Sequence, residues 1–408
     1  MDEVVAAVAS ARERGLRVKA IGAGHSFTGI AAAPGIQLDM SGLTGLRSVS
    51  GTEVTLGGGA VLHDLPRLLN PLGLALQNMG DIDVQTMTGA TSTGTHGTGA
   101  QFGGLATRIT GATLVTGSGD ILTVSKTENA DLLPAVALGL GALGVLAEVT
   151  VDCVPSFVLS AVEAPEPLDT VLDEWEQRLA AADHFEFYWF PHTEAALTKT
   201  NTRLPADAPT APLSAARRWF DDTLMSNTLF AGTTALQRRF PSSTPGINRL
   251  STRLTGNRAF SDASYRVFAT ERKVRFREME YAIPVAQIPE ALREIKALID
   301  RKRWTVSFPI EVRAAAADDL WLSTATGRAT GYIAVHRYFR EDPTEYFTAV
   351  EEIMKAHEGR PHWGKMNTRT AADLAPAYPR FGDFLRVRNR LDPDRMFTND
   401  YLDRVLGA

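Results

Sequence analysis

Apolar positions recur along this chain with two different periods. Val4, Val5, Val8 and Ala11 share a helical face, Asp2 and Glu3 suit the positive end of the helix dipole, and Gly15 ends the pattern. Leu16, Val18 and Ala20 then alternate, which predicts a strand running into Gly22-Ala23-Gly24. Strands are also predicted at Gly35 to Met40, Glu53 to Gly57, Thr113 to Thr116, Ile121 to Val124 and Val145 to Val151, with a helix from Asp131 to Leu138. Short strands mixed with helices make residues 1–152 an α+β or α/β unit.

Beyond Pro155 the texture changes. Aromatic and β-branched runs predict strands at Phe185 to Phe190, Phe276 to Ala282, Ser307 to Val312 and Tyr332 to Tyr338. Helical spacing occupies Pro289 to Lys302 and Thr344 to Ala356, so a largely antiparallel sheet with helices on one face is expected. The polar stretch Pro205 to Pro245, rich in Pro, Thr and Ser, reads as a mobile or inserted segment.

At 408 residues the chain exceeds one ordinary core, and its 44% hydrophobic and 22% charged content is that of a globular protein. A net charge of −5 gives no electrostatic reason to expect nucleic acid or an anionic membrane as partner. The single cysteine, Cys153, excludes an internal disulfide and any cysteine-based metal cage, and no metal site is expected. No apolar run reaches the length of a membrane span and no signal peptide opens the chain, so a cytoplasmic location is the expectation.

Two glycine-rich loops, each with one histidine, carry the chemistry. They are Gly22-Ala23-Gly24-His25-Ser26-Phe27 and Gly89 to Gly99, which contains Thr93-Gly94-Thr95-His96-Gly97. Glycine lets backbone N–H groups turn toward a ligand, which is how a loop cradles pyrophosphate without formal charge. Two other motifs fail on context. Gly139-x-Gly141-x-x-Gly144 matches the dinucleotide fingerprint but has a helix before it and a strand after, the reverse of what that fingerprint needs. Gly359 to Lys365 ends in Met366 where a P-loop needs Ser or Thr, and Pro361 and Trp363 obstruct the cradle.

The run Lys19-Ala20-Ile21-Gly22-Ala23-Gly24-His25-Ser26-Phe27-Thr28 resembles the flavin-attachment segment of the vanillyl-alcohol oxidase superfamily, specifically its sugar-lactone and alditol oxidase branch. Leu76 to Ile82, Thr93 to Gly99 and Gly141 to Leu146 resemble the branch's flavin-flanking segments. Glu278 to Pro284, Glu311-Val312-Arg313, His336 and His362-Trp363-Gly364-Lys365 resemble its substrate-side motifs. The resemblance implies an α+β chain with the PCMH-type FAD-binding fold: an FAD domain over 1–152, a substrate or cap domain on an antiparallel sheet over 153–385, and a C-terminal segment over 386–408 packing back near the flavin. Members usually carry a further strand ahead of the helix that opens this chain, so part of the first small sheet is expected to be unpaired.

The resemblance further implies FAD linked covalently through His25 and flanked by Ile21, Gly22, Ala23, Gly24, Ser26, Gly80, Asp81, Gly89, Thr93, Gly94, Thr95, His96, Gly144 and Val149. Gly80 occupies the position that lines the approach of oxygen, and glycine there leans toward an oxidase. Glu311 and Arg313, two apart on a predicted strand, share a face, and His336 and Lys365 complete a catalytic set. The implied reaction is oxidation of L-gulono-, L-galactono- or D-arabinono-1,4-lactone by hydride transfer to flavin N5. It gives an ascorbate-type product, with O2 or another acceptor reoxidising the flavin. The alternatives are an alditol oxidase acting on a terminal alcohol of a polyol, and a flavin-binding protein without turnover.

Overall fold

Val4, Val8 and Ala11 are buried on one face of helix Asp2–Glu13, as their spacing predicts. This computed structural model describes residues 1–270 and 272–408. Strand Val18–Ile21 follows and pairs in parallel with Ile36–Asp39 as a two-stranded sheet. The C-terminal stretch reaches this strand: the Val18 N–H donates to the Met396 carbonyl (2.8 Å) and Lys19 Nζ to the Phe397 carbonyl (3.2 Å).

The rest of the amino-terminal part is a five-stranded antiparallel sheet in the order Leu46–Ser50, Glu53–Gly57, Val145–Asp152, Ile109–Val115, Ile121–Ser125. Strand Val145–Asp152 alternates buried and half-buried positions along its whole length. Its hydrophobic core also takes in Phe381, Phe384, Tyr401 and Leu402, so the last helices, Phe381–Leu391 and Asp400–Leu406, belong to this core.

Eight strands make the second sheet, antiparallel throughout. Their order is Arg258–Ala263, Phe157–Pro167, Ala195–Pro205, His184–Trp189, Ile310–Ala315, Thr330–Tyr338, Phe276–Pro284, Arg360–Pro361. One face is apolar: Phe185, Phe187, Trp189, Ile310, Val312, Ile333, Val335, Met279 and Tyr281 pack against helices Ile288–Lys302 and Thr344–Ala356. Helix Ile288–Lys302 contributes Ile288, Leu292, Ile295, Leu298 and Ile299 to that layer, each worth about 1.5–3 kcal/mol of burial. The other face carries Lys199, Glu186, Tyr188, Glu311, Arg313, His336, Glu278 and Glu280, and most of these are buried too. That buried polar face is the feature that matters for function.

Two expectations need correction. The predicted strand at Ser307 to Val312 lies later, at Ile310–Ala315; Pro309 has no N–H to give the ladder. The stretch Pro205 to Pro245 is largely helical, with Ala215–Arg218, Trp219–Leu229 and Phe230–Arg239 followed by Thr244–Leu254. A few of its polar residues, Asn227, Thr234, Gln237 and Thr244, are buried. Gln237 donates to Asn248 Oδ1 (2.8 Å), and Asn248 donates to the Pro191 and Val306 carbonyls (3.0 Å each).

Candidate active site

The first glycine loop opens onto a cleft of about 810 Å³ lined by Ile21, Gly22, Ala23, Gly24, His25 and Ser26 on one side. Thr86, Gly89, Ser92, Thr93 and Leu140 to Gly144 line the remainder. The glycines are required by close approach: a Cβ on Gly22 would overlap the Thr86 hydroxyl, and one on Gly144, at φ +153°, would lie 2.6 Å from the Val115 carbonyl. Gly22 to His25 are exposed along the open side. A long cleft walled by small residues and backbone suits an extended dinucleotide, so the residues present fit FAD.

Of the residues the resemblance implied, Ile21 to Ser26, Gly89, Thr93 and Gly144 line this cleft, and Gly80, Asp81, Gly94, Thr95, His96 and Val149 do not. Val149 is buried in its strand between Leu56 and Ala112. Gly94, at φ +81°, ends helix Met87–Thr93. Thr95 accepts from Gln85 (3.3 Å). A Cβ on Gly80 would lie 3.3 Å from the His96 carbonyl, a tight contact between the two loops. The fingerprint rejected at Gly139 to Gly144 still contributes Gly141 and Gly144 to the cleft wall, as a loop between a short helix and a strand.

Lys19, whose individual role the sequence did not reveal, also lines the cleft. Its ammonium donates to the Gly141 (2.9 Å) and Phe397 (3.2 Å) carbonyls, and burial, opposed by Asp392, pulls its pKa down to about 7. Unfolded, the lysine holds its proton up to about pH 10.4. Between these values the unfolded state binds more protons, so stability rises with pH. The unfolding free energy obtained from urea titration is expected to increase from pH 7 to pH 9, by on the order of 1 kcal/mol per pH unit, and Lys19→Met to flatten that slope.

The polar sheet face holds two linked clusters. In the first, Arg313 contacts Glu311, Glu186 (3.0 Å) and Asp81 (3.3 Å), while Arg272 pairs with Asp81 at 2.5 Å. Lys199 faces Glu186 at 3.3 Å, and the Tyr188 hydroxyl donates to Glu311 at 3.2 Å. Three carboxylates thus meet three cations. Burial pushes Glu311 up to about 7 against the pull of Arg313, so it is poised to change protonation near neutrality. Asp81 serves this guanidinium cluster rather than the cleft.

The second cluster is centred on Glu278 and Glu280, alternate residues of strand Phe276–Pro284. Glu278 binds Lys365 and faces His336 Nε2 at 3.6 Å. Glu280 lies 3.2 Å from His96 Nε2. The Gly97 carbonyl lies 2.9 Å from His96 Nδ1, so both ring nitrogens have an acceptor within reach. The ring stacks on Tyr332 with centroids 3.6 Å apart. Ligand atoms of His96, Glu280 and His362 lie within 4.8 Å of one another, a spacing a divalent metal would accept. Yet His362 Nδ1 accepts the Gly364 N–H (3.1 Å), and burial draws its pKa down to about 4, so Nε2 carries the proton and offers no lone pair.

The lysine loop joins these clusters to the cleft. The Phe27 N–H donates to the Gly364 carbonyl (2.7 Å), Thr28 Oγ1 to that of Trp363 (3.3 Å), and Lys365 Nζ stands 5.1 Å from the Phe27 ring centre. Trp363 is fully buried and gives its N–H to the Leu322 carbonyl at 2.7 Å, which fixes the loop. Glu311, Arg313, His336 and Lys365 therefore stand on or against one sheet face, beside the loop that carries His25. Glu186, Tyr188 and Arg272 were not singled out from the sequence, and Glu278, Glu280 and His362 only as members of substrate-side motifs. The available signal was an acidic residue at alternate positions of aromatic or apolar strands, as in Phe185-Glu186-Phe187 and Glu278-Met279-Glu280-Tyr281.

Residues 149–405 match the D-arabinono-1,4-lactone oxidase family, and residues 1–125 match the FAD binding domain family. The chain is 45% identical over 407 residues to the L-gulono-1,4-lactone dehydrogenase of Mycobacterium tuberculosis, covering 99% of this chain and 94% of that one. It is 34% identical over 414 residues to the L-gulonolactone oxidase of Bos taurus, covering 99% and 93%. Cholesterol oxidase from Brevibacterium sterolicum shares the fold, with a TM-score of 0.81 at 18% identity, covering 99% of this chain and 92% of that one.

Proposed function

The chain belongs to the D-arabinono-1,4-lactone oxidase family, and from that membership we propose that it oxidises a sugar 1,4-lactone at a carbinol carbon. The supporting observation is the convergence of Glu311, Arg313, His336 and Lys365 on or against one sheet face beside the loop that carries His25. FAD, when bound in that cleft, supplies the acceptor for the two electrons and the hydrogen that leave the carbinol carbon. Arg313 and Lys365 donate hydrogen bonds to lactone oxygens, stabilising charge that develops there. Glu311 accepts from a substrate hydroxyl and orients it. His336 takes the hydroxyl proton. The product is an ascorbate-type enediol lactone, and the electrons pass on to O2 or another acceptor.

His25 is the point of covalent attachment in this reading. It stands exposed at the cleft, and partial burial, with Lys365 nearby, lowers its pKa, which favours the neutral imidazole that a nucleophile needs. Among the described residues no helix is long and apolar enough to cross a membrane, and the reading places the enzyme in the cytoplasm.

Anaerobic addition of L-gulono-, L-galactono- or D-arabinono-1,4-lactone to the holoprotein is expected to bleach the visible flavin band within a turnover. Bleaching by xylitol or sorbitol alone, or by no sugar derivative, would overturn the proposal.

A further inference from the structure

We propose that Glu278 is a positioning residue of this oxidation, holding His336 and Lys365 as one unit and stabilising the imidazolium that forms when His336 Nε2 receives the substrate's hydroxyl proton. The inference rests on the lactone-oxidation reading above. His336 Nδ1 lies 2.9 Å from the Pro309 carbonyl and therefore carries the ring proton, which leaves the lone pair on Nε2. That lone pair faces Glu278 Oε1 at 3.6 Å, too long for a hydrogen bond. Lone pair and carboxylate repel until a proton arrives, and attract once it has.

The setting holds this arrangement in place. Glu278 and His336 are direct partners across neighbouring antiparallel strands, so register alone brings them together. Phe276 stands edge-on to the imidazole, 5.1 Å between ring centres, and Phe308 lies 6.3 Å away. The other carboxylate oxygen of Glu278 is bound to Lys365. Burial would raise the Glu278 carboxyl, yet the Lys365 ammonium bound to it holds it well below the usual carboxylate range, so it stays ionised. Glu280 is the next side chain on that face, and Glu311 reaches it through its pairing with Ala334. Arg337 turns away, donating to the Thr305 carbonyl at 2.8 Å.

The proton step balances within these groups. The O–H bond of the substrate breaks, an N–H bond forms at His336 Nε2, and the new imidazolium faces the Glu278 carboxylate. One N–H of Lys365 stays on Glu278, which leaves its others for the substrate oxygen that has lost the proton.

The test compares holoenzyme carrying Glu278→Gln or Glu278→Asp with the unaltered protein, following anaerobic flavin bleaching by L-gulono-1,4-lactone against pH. Glu278→Gln is expected to move the acid limb about one unit lower, because a carboxylate that favours the imidazolium is gone while Lys365 stays. Its plateau rate should fall about tenfold or more. Glu278→Asp should return the limb most of the way. Glu311 titrates nearby in all three proteins, so the difference between profiles reports on Glu278. A lower plateau with an unmoved limb would mean a merely structural role and would overturn the proposal.

Nitrogen-15 NMR of the unaltered holoprotein, with the His336 signal assigned by its loss in His336→Gln, needs no variant of Glu278. It should show Nδ1 protonated and Nε2 bare at neutral pH; a proton on Nε2 would also overturn the proposal. If lactone fails to bleach even the unaltered protein, the functional reading falls, whereas a normal bleach with an unmoved limb removes only the role of Glu278.

Discussion

Replacing Arg313 with alanine is expected to lower kcat/KM for the lactone about a thousandfold or more. The guanidinium is the one group in contact with Glu311, Glu186 and Asp81 together, and it is buried with them. Truncation removes a donor aimed at the substrate side of the sheet and leaves three carboxylates with two remaining cations, Arg272 and Lys199. Breaking a buried ion pair by removing one partner costs about 3–5 kcal/mol. A tenfold rate change corresponds to about 1.4 kcal/mol, so a thousandfold loss corresponds to about 4 kcal/mol, inside that range when the cost falls on the transition state. Arg313→Lys keeps the charge but loses the planar fork that serves several oxygens at once, so recovery should be partial. Steady-state kinetics with the lactone, together with a thermal melt of each variant, separate loss of chemistry from loss of fold. Full turnover in a folded Arg313→Ala protein would remove this residue from the site.

The second large effect is all-or-none. After acid precipitation the unaltered protein should retain flavin fluorescence in the pellet, and His25→Ala should release it entirely to the supernatant. The cleft walls contain no other histidine, and Cys153 is buried, its thiol pushed up to about 11 mainly by burial. Since Gly22, Gly24 and Gly144 shape the cleft without help from His25, the variant is expected to bind FAD still, reversibly. Flavin in the supernatant of the unaltered protein would end the covalent proposal and leave FAD binding itself untouched.

Much of this architecture was legible in the chain because its strands and helices carry clean periods. Glu53–Gly57 and Thr344–Ala356 fall where alternation and helical spacing put them. Glu311 and Arg313 were readable as a pair because two-residue spacing in a strand forces a common face. What was not legible is cross-strand register. Nothing local to Glu278 says that His336 lies opposite it, or that Glu280 will meet His96 from a distant loop. The partners of Asp81, Arg272 and Arg313, were hidden for the same reason, since they come from remote segments. Over Pro205 to Pro245 the helices were not read, because buried polar residues such as Gln237 look from sequence like solvated ones.

Strand Phe276–Pro284 serves two layers at once, with Met279, Tyr281 and Ile283 feeding the helix-packed core while Glu278 and Glu280 face the opposite way. A single inserted or deleted residue in its middle would exchange those audiences, sending two acids into oil and an aromatic toward the lactone. Length changes among relatives of this chain should therefore fall in the connections at the strand's ends and spare its interior. Substitutions on one side of the ribbon can tune chemistry without disturbing what its other side holds up.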